Sequence, residues 1–295
     1  MSSQTQNGIN NLAGIFYMIA AIFTLATMDA AAKWLVESDY SVFQILFVRG
    51  LMNVMVMLAL VPFVGGLSLI KTQRKFAHTV RGVLGFIAPF MFFTALQTMG
   101  LAEATVVFFI SPFIMTALSV PMFKEYVGVH RWGAIVVGFG GVLYVVQPTS
   151  EVFNPAAFLV LGGSLAYCFL MLSSRWLGKT EATFTIVFYV NFAVMICGAI
   201  GAPFYWMDMP LADIGIVGIM AFLSLVGNFF IVKAFTIGEV GVITPFEYTA
   251  LVWAVILGFV LFDEIPSNNV WIGSAIIAAS GLYMVYRENR KKPAV

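Results

Sequence analysis

Ten apolar runs follow one another along the 295-residue chain, separated only by short connections. They fall at 11–35, 41–64, 76–99, 102–122, 131–147, 152–174, 182–206, 212–235, 240–262 and 269–286. A bilayer is crossed by about 20 apolar residues in a helix. Inside hydrocarbon the backbone must satisfy its own hydrogen bonds, so lone runs of this length become helices. The expected fold is therefore an all-α integral membrane protein with ten transmembrane helices. No connection is long enough for a soluble domain, which excludes most receptor-enzyme, ATPase and sensor architectures. Charged residues make up 10% of the chain, against about 25% in soluble domains. The net charge of +1 gives no electrostatic basis for binding nucleic acid.

The two cysteines, Cys168 and Cys197, fall inside spans and read as small hydrophobes. His78 and His130 have no companion ligands in sequence, and no metal or cofactor motif is present. Ala30-Ala31-Ala32 resembles a signal-peptide cleavage site. However, no basic residue precedes the first apolar run, which exceeds the usual length of about 7–15 residues. It is read as a retained span. Alternate connections and the C-terminus carry Lys71, Arg74, Lys75, Lys124, Arg131, Arg175, Lys179, Lys233, Arg287, Arg290, Lys291 and Lys292, and the others carry no lysine or arginine. This bias places both termini in the cytoplasm of a bacterial-type inner (plasma) membrane.

Charges inside the spans are the candidate functional groups, because each is costly in hydrocarbon. Asp29 and Lys33 are four residues apart on one face of the first span, the spacing of an ion pair. Arg49 lies about nine residues, roughly 13 Å, into the second span. It is too deep to reach water easily and is expected to meet a carboxylate, Asp29 first, so that Lys33 and Arg49 would both approach Asp29. Pro89 and Pro112 fall near the middle of the third and fourth spans, where each is expected to kink its helix. Gly133, Gly138, Gly140 and Gly141 in the fifth span suit close helix packing.

Displaced by about 140 residues, the chain matches itself. Ala31 to Leu35 falls near Ser173 to Leu177, Ala95-Leu96 on Ala234-Phe235, Lys124-Glu125 on Asp263-Glu264, and Trp132-Gly133 on Ile272-Gly273. The expected units are residues 11–147 and 152–286, five spans each, forming one membrane domain. Five is odd, so the second unit enters the membrane from the opposite face. Such an inverted repeat belongs to secondary transporters whose substrate site lies between the halves near the midplane.

The sequence resembles the EamA-type family of the drug/metabolite transporter superfamily. The resemblance rests on Ala95 to Thr105, Ser111-Pro112 followed by Lys124-Glu125, Gly138 to Val142, Thr244 to Trp253, Asp263-Glu264 and Ala278 to Tyr283. It implies a cavity lined by the first, third, fourth, sixth, eighth and ninth spans, and a small organic metabolite as substrate. The Pro245-Phe246-Glu247-Tyr248 stretch is similar to that of members taking up S-adenosylmethionine or riboflavin. One departure is Leu251, where the first-half pattern has proline thirteen residues before its glutamate.

The ninth span admits two readings. Thr244-Pro245-Phe246-Glu247 fits a capping box, with Glu247 merely closing a helix start. Alternatively the helix continues through Pro245, and Glu247 faces the cavity on one stripe with Ile243, Ala250 and Ala254. There it would exchange a proton with either side and couple transport to the proton gradient. The candidate substrate-binding set is Asp29, Lys33, Arg49, Tyr167, Asn228, Glu247, Tyr248 and Trp253. Both signs of charge suit a small polar or zwitterionic solute. The chain would then work as a secondary transporter in the lipid bilayer, with proton coupling or exchange as the drive and a homodimer as a possible assembly. A membrane-embedded transferase would need clustered carboxylates, and the adjacent pair Asp263-Glu264 sits at a span end. A passive channel is the other alternative.

Overall fold

The computed structural model describes residues 10–66, 70–124, 127–148, 154–177, 180–237 and 240–289, and among these every regular element is helical. The α-helices are α1 (Asn11–Glu37), α2 (Val42–Val64), α3 (Lys75–Ala95), α4 (Leu101–Phe108), α5 (Ser111–Phe123), α6 (Val129–Val146), α7 (Ala156–Leu177), α8 (Thr183–Gly201), α9 (Leu211–Ile237), α10 (Val240–Ile243), α11 (Thr249–Phe262) and α12 (Asn268–Asn289). Together they supply ten segments long and apolar enough to cross a membrane. The fourth span is α4 plus α5, and the ninth is α10, a 3₁₀ turn at Thr244–Tyr248, and α11. Crossing ten times returns the chain to the face where it began. That face is called the base, and the opposite one the far face.

Local signals fix the ends. Asn10 caps α1 by accepting the Ala13 amide at 3.0 Å. Lys124, Gln147 and Asp263 stop α5, α6 and α11 in the left-handed region, with φ of 57°, 46° and 53°. The two mid-span prolines behave differently. α3 runs unbroken through Pro89, whereas Pro112 follows a real interruption at Phe109–Ile110. There the Cys168 thiol donates to the Ser111 carbonyl at 3.3 Å. Cys168 is thus more than a small hydrophobe, since it occupies a carbonyl beside the interruption.

In the ninth span the capping-box reading fails on backbone geometry. An N-cap residue is non-helical, but Thr244 follows α10 directly, and Ile243 before it has φ −87° and ψ −42°. Helix is already present at Val240–Ile243, and Pro245 sits in a 3₁₀ turn that passes straight into α11.

α1 packs along α9, α2 along α8, α3 along α7 and α8, and α6 along α12. Glycines set the closest approaches. A Cβ at Gly50 would stand 2.8 Å from the Met195 amide nitrogen, and one at Gly198 would stand 2.7 Å from that of Phe47. Gly141 and Gly273 are similarly filled between α6 and α12, so these two glycines serve packing within the chain. A polar joint ties α2 to α8 and α9: the Asn53 amide donates to Asn191 at 3.0 Å and to Ser224 at 3.2 Å.

Packing is uneven through the membrane. The main core holds Leu35, Ile45, Leu46, Phe93, Leu96, Met99 and Leu101, mostly towards the far face. Towards the base, Met18, Ala234 and Ile243 form a small separate cluster. Among the described residues, α4 joins α11 and α12 across the bundle, but no comparable packing joins α9 or α10 to α3, α5 or α7. A second base-side cluster is formed by Val54, Met57 and Phe188.

Candidate functional site

The sequence-derived residues separate into three places. Asp29 of α1 and Arg49 of α2 lie within electrostatic range of one another. They are not in contact: among the described residues the ion pairs are Lys33–Glu37, Lys33–Glu264 and His78–Glu181. Arg49 is only 9% exposed. Its guanidinium reaches the Met28 sulfur at 3.9 Å and lies 5.6 Å from the Phe93 ring centre, and its Nε has no partner.

Lys33 is not part of that pair. It is 2% exposed and turned towards the far face. Its ammonium meets Glu264 at 2.7 Å and Glu37 at 3.0 Å, and donates to the carbonyls of Met99 at 2.9 Å and Leu96 at 3.4 Å. Asp29 and Glu37 are both four residues from Lys33. The far side wins because Glu264 and the carbonyl-rich end of α3 also lie there, and a helix C-terminus favours a cation. The expectation that Lys33 approaches Asp29 is therefore corrected. Glu264, read as an interface residue, also accepts the Leu101 amide at 2.8 Å.

The third place is the 3₁₀ turn of the ninth span. Glu247 and Tyr248 are half-buried there, and Tyr167 of α7 comes near enough to interact electrostatically with Glu247. No ion pair reaches Glu247 among the described residues. Tyr248 lies 5.2 Å, ring to ring, from Phe109, and its hydroxyl fits against the bare backbone of Gly281. The expected stripe of Ile243, Glu247, Ala250 and Ala254 does not line an opening, since Ile243 and Ala254 are buried in packed clusters.

A run of rings links the places. Phe93 under Arg49 neighbours Phe92 at 6.2 Å, Phe92 meets Phe108 at 5.4 Å, and Phe108 meets Tyr167 at 5.3 Å. Asn228 bonds back to the Ser224 carbonyl at 2.7 Å and is exposed. Trp253 lies apart. It packs edge-on to Phe23 at 4.8 Å and lines an entirely apolar groove of about 240 Å³ with Phe16, Ile19, Ala20 and Phe23.

Sequence reasoning missed Glu264 as the partner of Lys33, although the repeated Lys124-Glu125 and Asp263-Glu264 marked the position. It also missed Gly281 as the seat of Tyr248. A base-side cluster escaped it too. Arg81 donates to the Leu170 carbonyl and, at 2.8 Å, to Ser173, while Glu181 accepts from Thr72 at 2.8 Å. No group of three or more metal-ligating side chains occurs among the described residues.

The sequence model of the EamA-like transporter family matches residues 12–147 and 154–287. An S-adenosylmethionine uptake transporter of Rickettsia conorii is 26% identical over 279 residues, covering 95% of this chain and 94% of the relative. A riboflavin transporter of Vibrio cholerae is 24% identical over 288 residues, covering 95% of each. One solved crystal structure shares the fold, with a TM-score of 0.65 at 15% identity, over 95% of this chain and 98% of that one.

Proposed function

Because the chain belongs to the EamA-like transporter family, we propose that it takes up a zwitterionic, ring-bearing metabolite of the S-adenosylmethionine type by alternating access. That it is a multi-pass membrane transporter and not an enzyme follows from the family and its relatives. The substrate is our inference, and Arg49 carries it. A guanidinium buried in a membrane span, with no carboxylate in contact, its Nε unpartnered and one terminal nitrogen only on a methionine sulfur, has donors to offer a ligand carboxylate. Asp29 beside it suits the ammonium of the same amino-acid group. The rings from Phe93 to Tyr167 offer a stacking path for a planar base, and aromatic faces attract a sulfonium cation. Glu247 stands at the far end of that path as a second anionic partner and as the proposed proton carrier.

Riboflavin, the substrate named for other relatives, is a second reading. It would use the rings, but it has neither carboxylate nor cation and would leave Arg49 and Asp29 unmatched. On this reading the base is cytoplasmic, as the basic residues indicate. A homodimer is also proposed, since Gly133 and Gly140 on α6 have open space over them.

Uptake of labelled S-adenosylmethionine into proteoliposomes tests the substrate. We expect saturable accumulation, inhibited by S-adenosylhomocysteine, which keeps ring and zwitterion, and not by adenosine, which lacks the zwitterion. Equal inhibition by adenosine, or preferential transport of riboflavin, would overturn the assignment.

A further inference from the structure

We infer that Lys33 and Glu264, closed over the Leu101 amide, form the outer lock of the transport cycle, which must part whenever the substrate site opens outward. The inference rests on the alternating-access reading above, and takes Lys33 out of the substrate site.

The contacts join parts that outward opening would separate. Lys33 belongs to α1, the Leu96 and Met99 carbonyls to the turn between α3 and α4, and Glu264 to the link between α11 and α12. Glu264 uses both oxygens: Oε1 holds the ammonium and Oε2 holds the first amide of α4. One carboxylate therefore fastens the second half of the chain to two elements of the first. Lys33 has three hydrogens and four acceptors around it, so nothing is left over for a ligand.

Burial fits a lock. The Lys33 side chain is 3% exposed, while those of Glu264 and Glu37 are 25% and 41% exposed. Water thus reaches the carboxylates first, and the ammonium becomes solvated only when the far face parts. Glu103 adds a third carboxylate within electrostatic range of Lys33 and Glu264. Removing the lysine charge would leave three acids facing one another, which drives the elements apart. The tight core around Leu35, Leu96, Met99 and Leu101 lies beside the lock. The structure is thus sealed at the far face.

The test places spin labels at Gln97 and Asn268, exposed positions on either side of the lock, and reads their distance distribution in full-length protein in lipid nanodiscs. We expect one short distance in the otherwise unmodified protein. In both Glu264→Gln and Lys33→Met the main peak should move to longer distance. An unchanged distribution in whichever variant retains wild-type helix content would overturn the lock. Loss of the fold in both variants would also overturn it, by making the pair purely structural. Parallel uptake assays separate this from the substrate assignment. A distance that opens while labelled S-adenosylmethionine is not taken up leaves the lock standing and removes only the substrate.

Discussion

The Tyr248 hydroxyl rests against the α-carbon side of Gly281, on the opposite helix, so closely that no Cβ fits there. Gly281→Ala must therefore push Tyr248 and the 3₁₀ turn aside. Overpacking of this kind costs about 1–3 kcal/mol, and a thermal shift in detergent should register it. Tyr248→Phe, which removes the nearest conflicting atom but leaves the ring carbon crowding the added Cβ, should restore only part of the loss. If Gly281→Ala alone leaves both stability and uptake intact, the turn is not held by this contact.

Arg49→Lys keeps the charge and loses the planar fork. If Arg49 grips the substrate carboxylate, the change removes one charge-assisted hydrogen bond, worth about 1.5–3 kcal/mol, or roughly tenfold or more in apparent affinity. Uptake kinetics should show that loss in the half-saturation concentration, with folding unchanged.

Asp29→Asn leaves Arg49 without its opposing charge inside the membrane. Breaking a buried pair costs about 3–5 kcal/mol when the groups touch. Here they stand beyond contact, so a smaller loss is expected. Adding Arg49→Gln should recover folded yield, measured by size-exclusion chromatography, although not transport. A double variant no better folded than Asp29→Asn would show that the two charges are independent.

For Glu247 the decisive comparison is accumulation against exchange. Glu247→Gln should abolish gradient-driven concentration of substrate and leave one-for-one exchange across proteoliposomes largely intact. Concentration by the variant with an unaltered pH profile would remove the proton role.

Alkaline stability has its own local cause. Tyr40, in the turn between α1 and α2, donates to Asp213, and this bond, with burial and the carboxylate charge, holds its hydroxyl pKa above the ordinary 10.0. A folded-state pKa raised in this way gives a contribution that is complete below about pH 10 and is lost as pH rises through the folded value. Tyr40→Phe should lower the melting temperature at neutral pH and flatten its decline above about pH 10.

The ten spans were legible because hydrocarbon allows a run of apolar residues little choice but helix. Pro112 and Pro245 mark the irregular fourth and ninth spans, but the sequence predicts a kink at the first, and a helix start or a kink at the second, where the chain has an interruption and a 3₁₀ turn. Partners were harder. Asp29 and Glu37 are equally spaced from Lys33, and only the meeting of α3, α4 and α11 decides between them. That meeting is a property of the packed bundle. Pro89 and Pro112 likewise sit in similar apolar sequence, yet one helix continues and the other stops. Trp253 is expected from sequence to offer a ligand a stacking face, but it packs edge-on to Phe23 at an apolar groove instead.

The pitch of the ninth-span turn has a geometric result. A 3₁₀ turn advances about 120° and 2.0 Å per residue, against about 100° and 1.5 Å in an α-helix. Across the five residues Thr244–Tyr248 the difference amounts to about 100° of rotation and 2.5 Å of length. α11 is thus screwed a quarter-turn out of phase with α10, and helical-wheel reasoning cannot be carried from one to the other. Rewinding those five residues into α-helix would rotate Trp253 and everything beyond it by that same quarter-turn while shortening the span.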